Sequence, residues 1–275
     1  LEFSRAKDQY CGKACTLHSG TSFVETCMDA GLTRNPTDGR AFFGRINTFI
    51  SYTWRGEGIS LRNLVQAVSD ALAAAASQGG ADPEAAFFFV DIFVCAQHRG
   101  IREQCGTCPN ATDVGKFKDV IVECSRLMLY CTPIRQPKAL NRVWCLFELM
   151  AALITGIPVS VALGSGDRSD LQRIIRRDFD MLVKLFTTIK SEEAQATFPE
   201  DRKRVFGWIR DALGDDCFKK LDETVADGMR SWLATTGQEL VANAANDARN
   251  FATLIAVAKL LRHLGRYDEA EVLAR

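Results

Sequence analysis

The sequence predicts an α/β protein, a doubly wound parallel sheet followed by an all-helical region. Three observations carry that expectation. Between Ile46 and Leu163, short apolar runs of strand type alternate with stretches of helical spacing, the pattern of parallel strands joined by right-handed helical crossovers. Phe87 to Val94 is an unbroken apolar run bearing one acid, Asp91, as expected of a central strand buried on both faces. From Ser169 onward, charged and apolar residues alternate at helical spacing.

Length and charge narrow the field before any motif does. A chain of 275 residues accommodates one domain of ordinary size plus a smaller unit. Its 34 Lys and Arg are balanced by 34 Asp and Glu, so no global field favours nucleic acid or an anionic membrane. No apolar run approaches a membrane span, and Leu1-Glu2-Phe3-Ser4-Arg5 lacks the basic-then-apolar layout of a secretory leader. A cytoplasmic location is expected. The chain begins without Met and stops at Arg275 inside a helical pattern, which reads as a piece of a longer protein.

Of the ten cysteines, Cys95, Cys124, Cys131 and Cys145 fall within apolar patterns, where a thiol packs as a small hydrophobe. Cys105 and Cys108 sit in a Gly/Pro/Asn loop, and with Cys11 and Cys15 they supply the ligand types of a tetrahedral zinc site. The loose spacing of the upstream pair and its distance along the chain favour plain loop cysteines, so no metal is expected.

Residues 1–44 show little periodicity and carry the turn cluster Asn35-Pro36-Thr37-Asp38-Gly39. Ile46 to Tyr52 alternates as a strand does, and Trp54-Arg55-Gly56-Glu57-Gly58 breaks it into a loop. Ser60 then caps a predicted helix with Leu61, Leu64, Val65, Val68 and Leu72 on its apolar face. After the run from Phe87, Thr112 is placed to cap a helix carrying Phe117, Val120, Ile121 and Cys124. Leu127 to Cys131 is the next strand, and Ile157 to Leu163 a fourth. Between them, Leu140 to Ile154 forms a largely buried helix stopped by Gly156, in which Glu148 is the lone charge after Trp144. Met181 to Phe186 fits a fifth strand or part of a helix. Burial is expected for Phe49, Phe89, Ile92, Leu129 and Val161, all on parallel strands.

Four segments, in order, resemble TIR domains: Phe49-Ile50-Ser51-Tyr52 with Trp54-Arg55-Gly56-Glu57, Phe89-Val90-Asp91-Ile92, Leu129-Tyr130-Cys131-Thr132-Pro133, and Trp144-Cys145-Leu146-Phe147-Glu148-Leu149, the last matching a W-C-x-x-E-L signature. The likeness covers roughly Ile46 to Leu163 and is nearest to TIR-like modules of microbial eukaryotes fused to kinesin-light-chain-like tetratricopeptide repeats, whose F-x-D-x-F-x-x-x-Q-H stretch corresponds to Phe89 through His98. Leu264-Gly265-Arg266-Tyr267-Asp268-Glu269-Ala270-Glu271 resembles the turn of one such repeat. The resemblance implies a flavodoxin-like sheet, with residues 1–44 an N-terminal extension, 45–166 a TIR-like domain, 167–250 a helical region and 251–275 a partial repeat.

Many TIR domains cleave the nicotinamide–ribose bond of NAD, so the resemblance implies an NAD glycohydrolase or cyclase controlled by self-assembly. Glu148 takes the catalytic position, and Tyr52, Trp54, Arg55, Asp91, Trp144 and Cys145 the substrate-binding ones. NAD is the substrate and no metal is required. Nicotinamide leaves as a neutral molecule, so no general acid is needed, and one carboxylate can stabilise the oxocarbenium-like transition state. The alternative is a non-enzymatic signalling or scaffold module that self-associates through the TIR-like domain and binds a protein or peptide through the repeats. Each residue also has a structural role open to it. Glu148 can pair with Arg142 or Arg45, Trp144 can anchor the core, Asp91 can accept backbone hydrogen bonds, and Arg55 can pair with Glu57 at the surface.

Overall fold

A computed structural model describes residues 22–54, 59–77, 85–95, 116–243 and 250–274. Four strands form an all-parallel sheet of order β2-β1-β3-β4, with β1 Thr48–Ser51, β2 Phe88–Phe89, β3 Arg126–Tyr130 and β4 Val159–Ala162. This is compatible with a flavodoxin-like sheet, in which chain order reverses between β1 and β3. β1 pairs on both sides, Phe49 with Phe89 and with Leu127, and all four of its residues are buried.

Alternation along β1 divides the core. Phe49 joins Leu127, Leu129 and Cys131 under helices α4 (Phe117–Glu123) and α5 (Val143–Ile154), while Ile50 and Tyr52 join Met128 and Tyr130 under α2 (Leu61–Ser77). Ser60 caps α2 by accepting from the Asn63 amide at 3.1 Å. On α2, Leu64, Ala67 and Val68 are buried, but Val65 is exposed. α5 ends where Gly156, at φ 73°, takes the left-handed conformation. There the Ile157 and Gly156 amides return to the Ala152 and Leu153 carbonyls, a glycine-based Schellman end.

The run from Phe87 to Val94 is not a central strand. Only Phe88–Phe89 pairs as a strand, at the sheet edge, and after Val90 the chain turns at Asp91–Val94 into the short helix α3. Ile92 is buried on that turn rather than on a strand, and Val161, although on β4, is half-exposed. The run is apolar because it is covered, Phe89 stacking on Phe49 with centroids 5.0 Å apart and Phe93 meeting Phe23 at 5.6 Å. Phe23 belongs to α1 (Phe23–Asp29), a helix inside the N-terminal extension. Its start is a reciprocal capping box, Ser22 and Glu25 each accepting from the other's amide. Ser-x-x-Glu was a legible signal for it.

The helical region comprises α6 (Ser165–Arg177), α7 (Phe179–Thr187), α8 (Pro199–Leu213), α9 (Cys217–Asn243), α10 (Asn250–His263) and α11 (Tyr267–Ala274). Met181 to Phe186 is therefore helical. α8 and α9 lie on the face of α5 turned away from the sheet, so one apolar cluster runs from Phe49 through α5 to Ala270 and crosses the expected boundary at residue 166. That double covering is why α5 is apolar all round. α10 and α11 form a helical hairpin turned by Gly265 at φ 77°.

Candidate active site at the carboxyl end of the sheet

Ser51, the last residue of β1, and Tyr52, which follows it, send their side chains to opposite faces of the sheet. On the α5 side, the Ser51 hydroxyl donates to Glu148 Oε2 at 2.6 Å, joining two buried groups. On the α2 side, the Tyr52 hydroxyl donates to Asp91 Oδ1, at the start of α3. One turn before Glu148, the Cys145 thiol donates to the Tyr52 carbonyl at 3.4 Å. One backbone corner thus holds two carboxyl groups and a thiol, at the β1/β3 reversal where open α/β sheets bind ligands.

The electrostatics are unusual for a carboxylate. Glu148 is only 6% exposed, and burial pushes its carboxyl well above the usual range; the Ser51 hydrogen bond pulls it back, and the charge of Asp91 raises it further. Burial, followed by the Asp91 carboxylate, likewise raises the Tyr52 phenol. Burial, followed by Glu148, raises the Cys145 thiol. Among the described residues no cation pairs with Glu148. Arg142 donates to Thr197 Oγ1 at 2.8 Å and Arg45 pairs with Glu123 at 3.3 Å, so neither pairing considered for Glu148 from the sequence forms.

No family model matches the chain, and no curated protein or solved structure matches it significantly.

Six of the seven residues singled out from the sequence are described. Tyr52, Asp91, Cys145 and Glu148 come together at the corner just defined. Trp54 is half-buried in the α2-side cluster with Tyr52. Trp144 lies in the core, edge-on to Phe117 at 5.7 Å and to Trp208 at 6.0 Å, which is the anchoring role. Arg55 lies outside the described residues, as do Glu57, His98, Thr112 and the cysteines Cys11, Cys15, Cys105 and Cys108. Among the described residues no cluster of His, Cys, Asp and Glu is arranged to hold a metal, and no helix is long and apolar enough to cross a membrane. Ser51 was missed from the sequence, because a hydroxyl in a strand carries no sign of a partner 97 residues away.

Two cavities lie elsewhere. A cleft of about 870 Å³ between α7, α9 and the α10–α11 turn is lined by Asp180, Lys184, Arg230, His263 and Arg266. A groove of about 550 Å³ on the α10–α11 hairpin is lined by Phe251, Ile255, Tyr267 and Leu273.

Proposed function

We propose that this chain carries a TIR-like module that cleaves NAD at the nicotinamide–ribose bond, with Glu148 as its catalytic carboxylate. The observation that supports this reading is a buried carboxyl group at the sheet's reversal point, held by Ser51, coupled to Asp91 and without a cation partner among the described residues. Burying a carboxylate without a cation is costly, and such an arrangement fits a group whose partner is a ligand. In NAD the nicotinamide is a cationic pyridinium that leaves as a neutral molecule, so positive charge passes to ribose as the glycosidic bond breaks. Glu148 stabilises that charge and accepts hydrogen bonds from ribose hydroxyls. Tyr52, Trp54, Asp91 and Cys145 surround it, while Trp144 holds the start of α5 against Phe117 and Trp208. The enzyme is a hydrolase of N-glycosyl bonds, or a cyclase, active in the cytoplasm and governed by self-association of the TIR-like domains. Purified protein at high concentration, given NAD, releases nicotinamide. Absence of release across a range of protein concentrations refutes the reading.

The alternative, a non-enzymatic signalling or scaffold module, draws on a different observation. The α10–α11 hairpin exposes Phe251, Ile255, Tyr267 and Val272, more apolar surface in one place than isolated residues provide. As the first unit of a tetratricopeptide array, the hairpin would use that face for a neighbouring repeat or a peptide.

A further inference from the structure

We infer that Ser51 is the positioning residue for Glu148, its buried hydroxyl at the end of β1 donating to Oε2 and fixing the direction in which the carboxyl group faces. The inference rests on Glu148 being the group that acts on NAD.

Ser51 is fully buried, at 0% exposure, and is the last residue of a strand paired on both sides, opposite Leu129 of β3. Its position is therefore set by the sheet rather than by a loop, and a rigid donor fixes the geometry of what it holds. At 2.6 Å the contact falls in the short range of O–H donors to carboxylates. The other titratable groups that face Glu148 oppose its charge or leave it unaided. Asp91, from the turn after β2, repels it; the Tyr52 hydroxyl is committed to Asp91; and the Cys145 thiol, on the same helix, is directed at the Tyr52 carbonyl. The nearest cation along the chain, Arg142, is turned to Thr197. Among the described residues Ser51 is thus the group that favours the ionised form, and the α5 framework around it supplies only desolvation.

The test uses Ser51→Ala, Ser51→Cys and Glu148→Gln in the whole chain. Infrared titration follows the buried carboxyl, with Glu148→Gln identifying its band, beside the pH dependence of kcat/KM for nicotinamide release. Ser51→Ala is expected to move the Glu148 titration, and with it the acid limb of kcat/KM, upward by about one pH unit or more, because hydrogen bonds to charged groups are at the strong end of the range. Ser51→Cys, a weaker donor of similar size, moves both by less and serves if the Ala variant does not fold. A Glu148 titration unmoved in the folded variants overturns the inference. If the titration moves but the unaltered chain releases no nicotinamide, the NAD reading falls and the role of Ser51 stands; if nicotinamide is released and neither curve moves, the reverse holds.

Discussion

Changing Glu148 to Gln separates catalysis from architecture, because the amide keeps the shape and can still accept from Ser51. Removing the charge takes away stabilisation of the developing cation on ribose. Comparable electrostatic groups contribute about 3–4 kcal/mol to the transition state, so kcat should fall on the order of a hundredfold to a thousandfold. The Kd for NAD should change far less. Stability moves the other way. The folded-state pKa of Glu148 is raised by burial and by Asp91, so the proton is held more tightly in the folded chain. Its favourable contribution is fully present below the unfolded carboxyl pKa and is lost as pH rises through the folded value. Between those limits the wild-type chain loses stability relative to Glu148→Gln by up to about 1.4 kcal/mol per pH unit. At about 2–4 °C per kcal/mol for a chain of this class, the variant should melt several degrees higher at neutral pH and about equally at acid pH. Nicotinamide release and melting curves from pH 4 to 8 measure both. An active enzyme indifferent to the substitution refutes the catalytic role, and a variant less stable at neutral pH than at acid pH, relative to wild type, refutes the burial argument.

Trp144→Ala removes a ring packed against Phe117 and Trp208 and should cost about 3 kcal/mol, the low end for a large aromatic because Trp144 is half-buried; denaturant midpoints decide, and lost NAD affinity at unchanged stability would contradict the core placement. Burial raises the Cys124 thiol to about 11 and lifts Cys131 and Cys145 further, so brief alkylation of the native chain at pH 8 should label the partly exposed Cys27 and spare these three, with peptide mapping as the check. Specific activity should climb with protein concentration if self-association supports catalysis; a constant value from dilute to concentrated protein would remove assembly from the mechanism.

The alternation of apolar runs and helical spacing was enough to determine a parallel α/β sheet with a helical tail, because burial on two faces demands continuous apolar strands and burial on one demands a periodic helix. Gly156 ending α5 and Ser60 capping α2 were legible for the same local reason: each satisfies backbone groups within a few residues. Glu148 stood out as a lone charge in an apolar helix. What it touches was not legible, since Ser51 lies on another element and pairing across the sheet leaves no periodic trace. Nor does periodicity distinguish an apolar run buried as a strand from one buried as a strand and a turn, which is how Phe87 to Val94 divides at Val90. The remaining decision was tertiary as well: α5 lays Glu148 against the end of β1, where the carboxyl group is withdrawn from water, and burial, Ser51 and Asp91 together govern its ionisation.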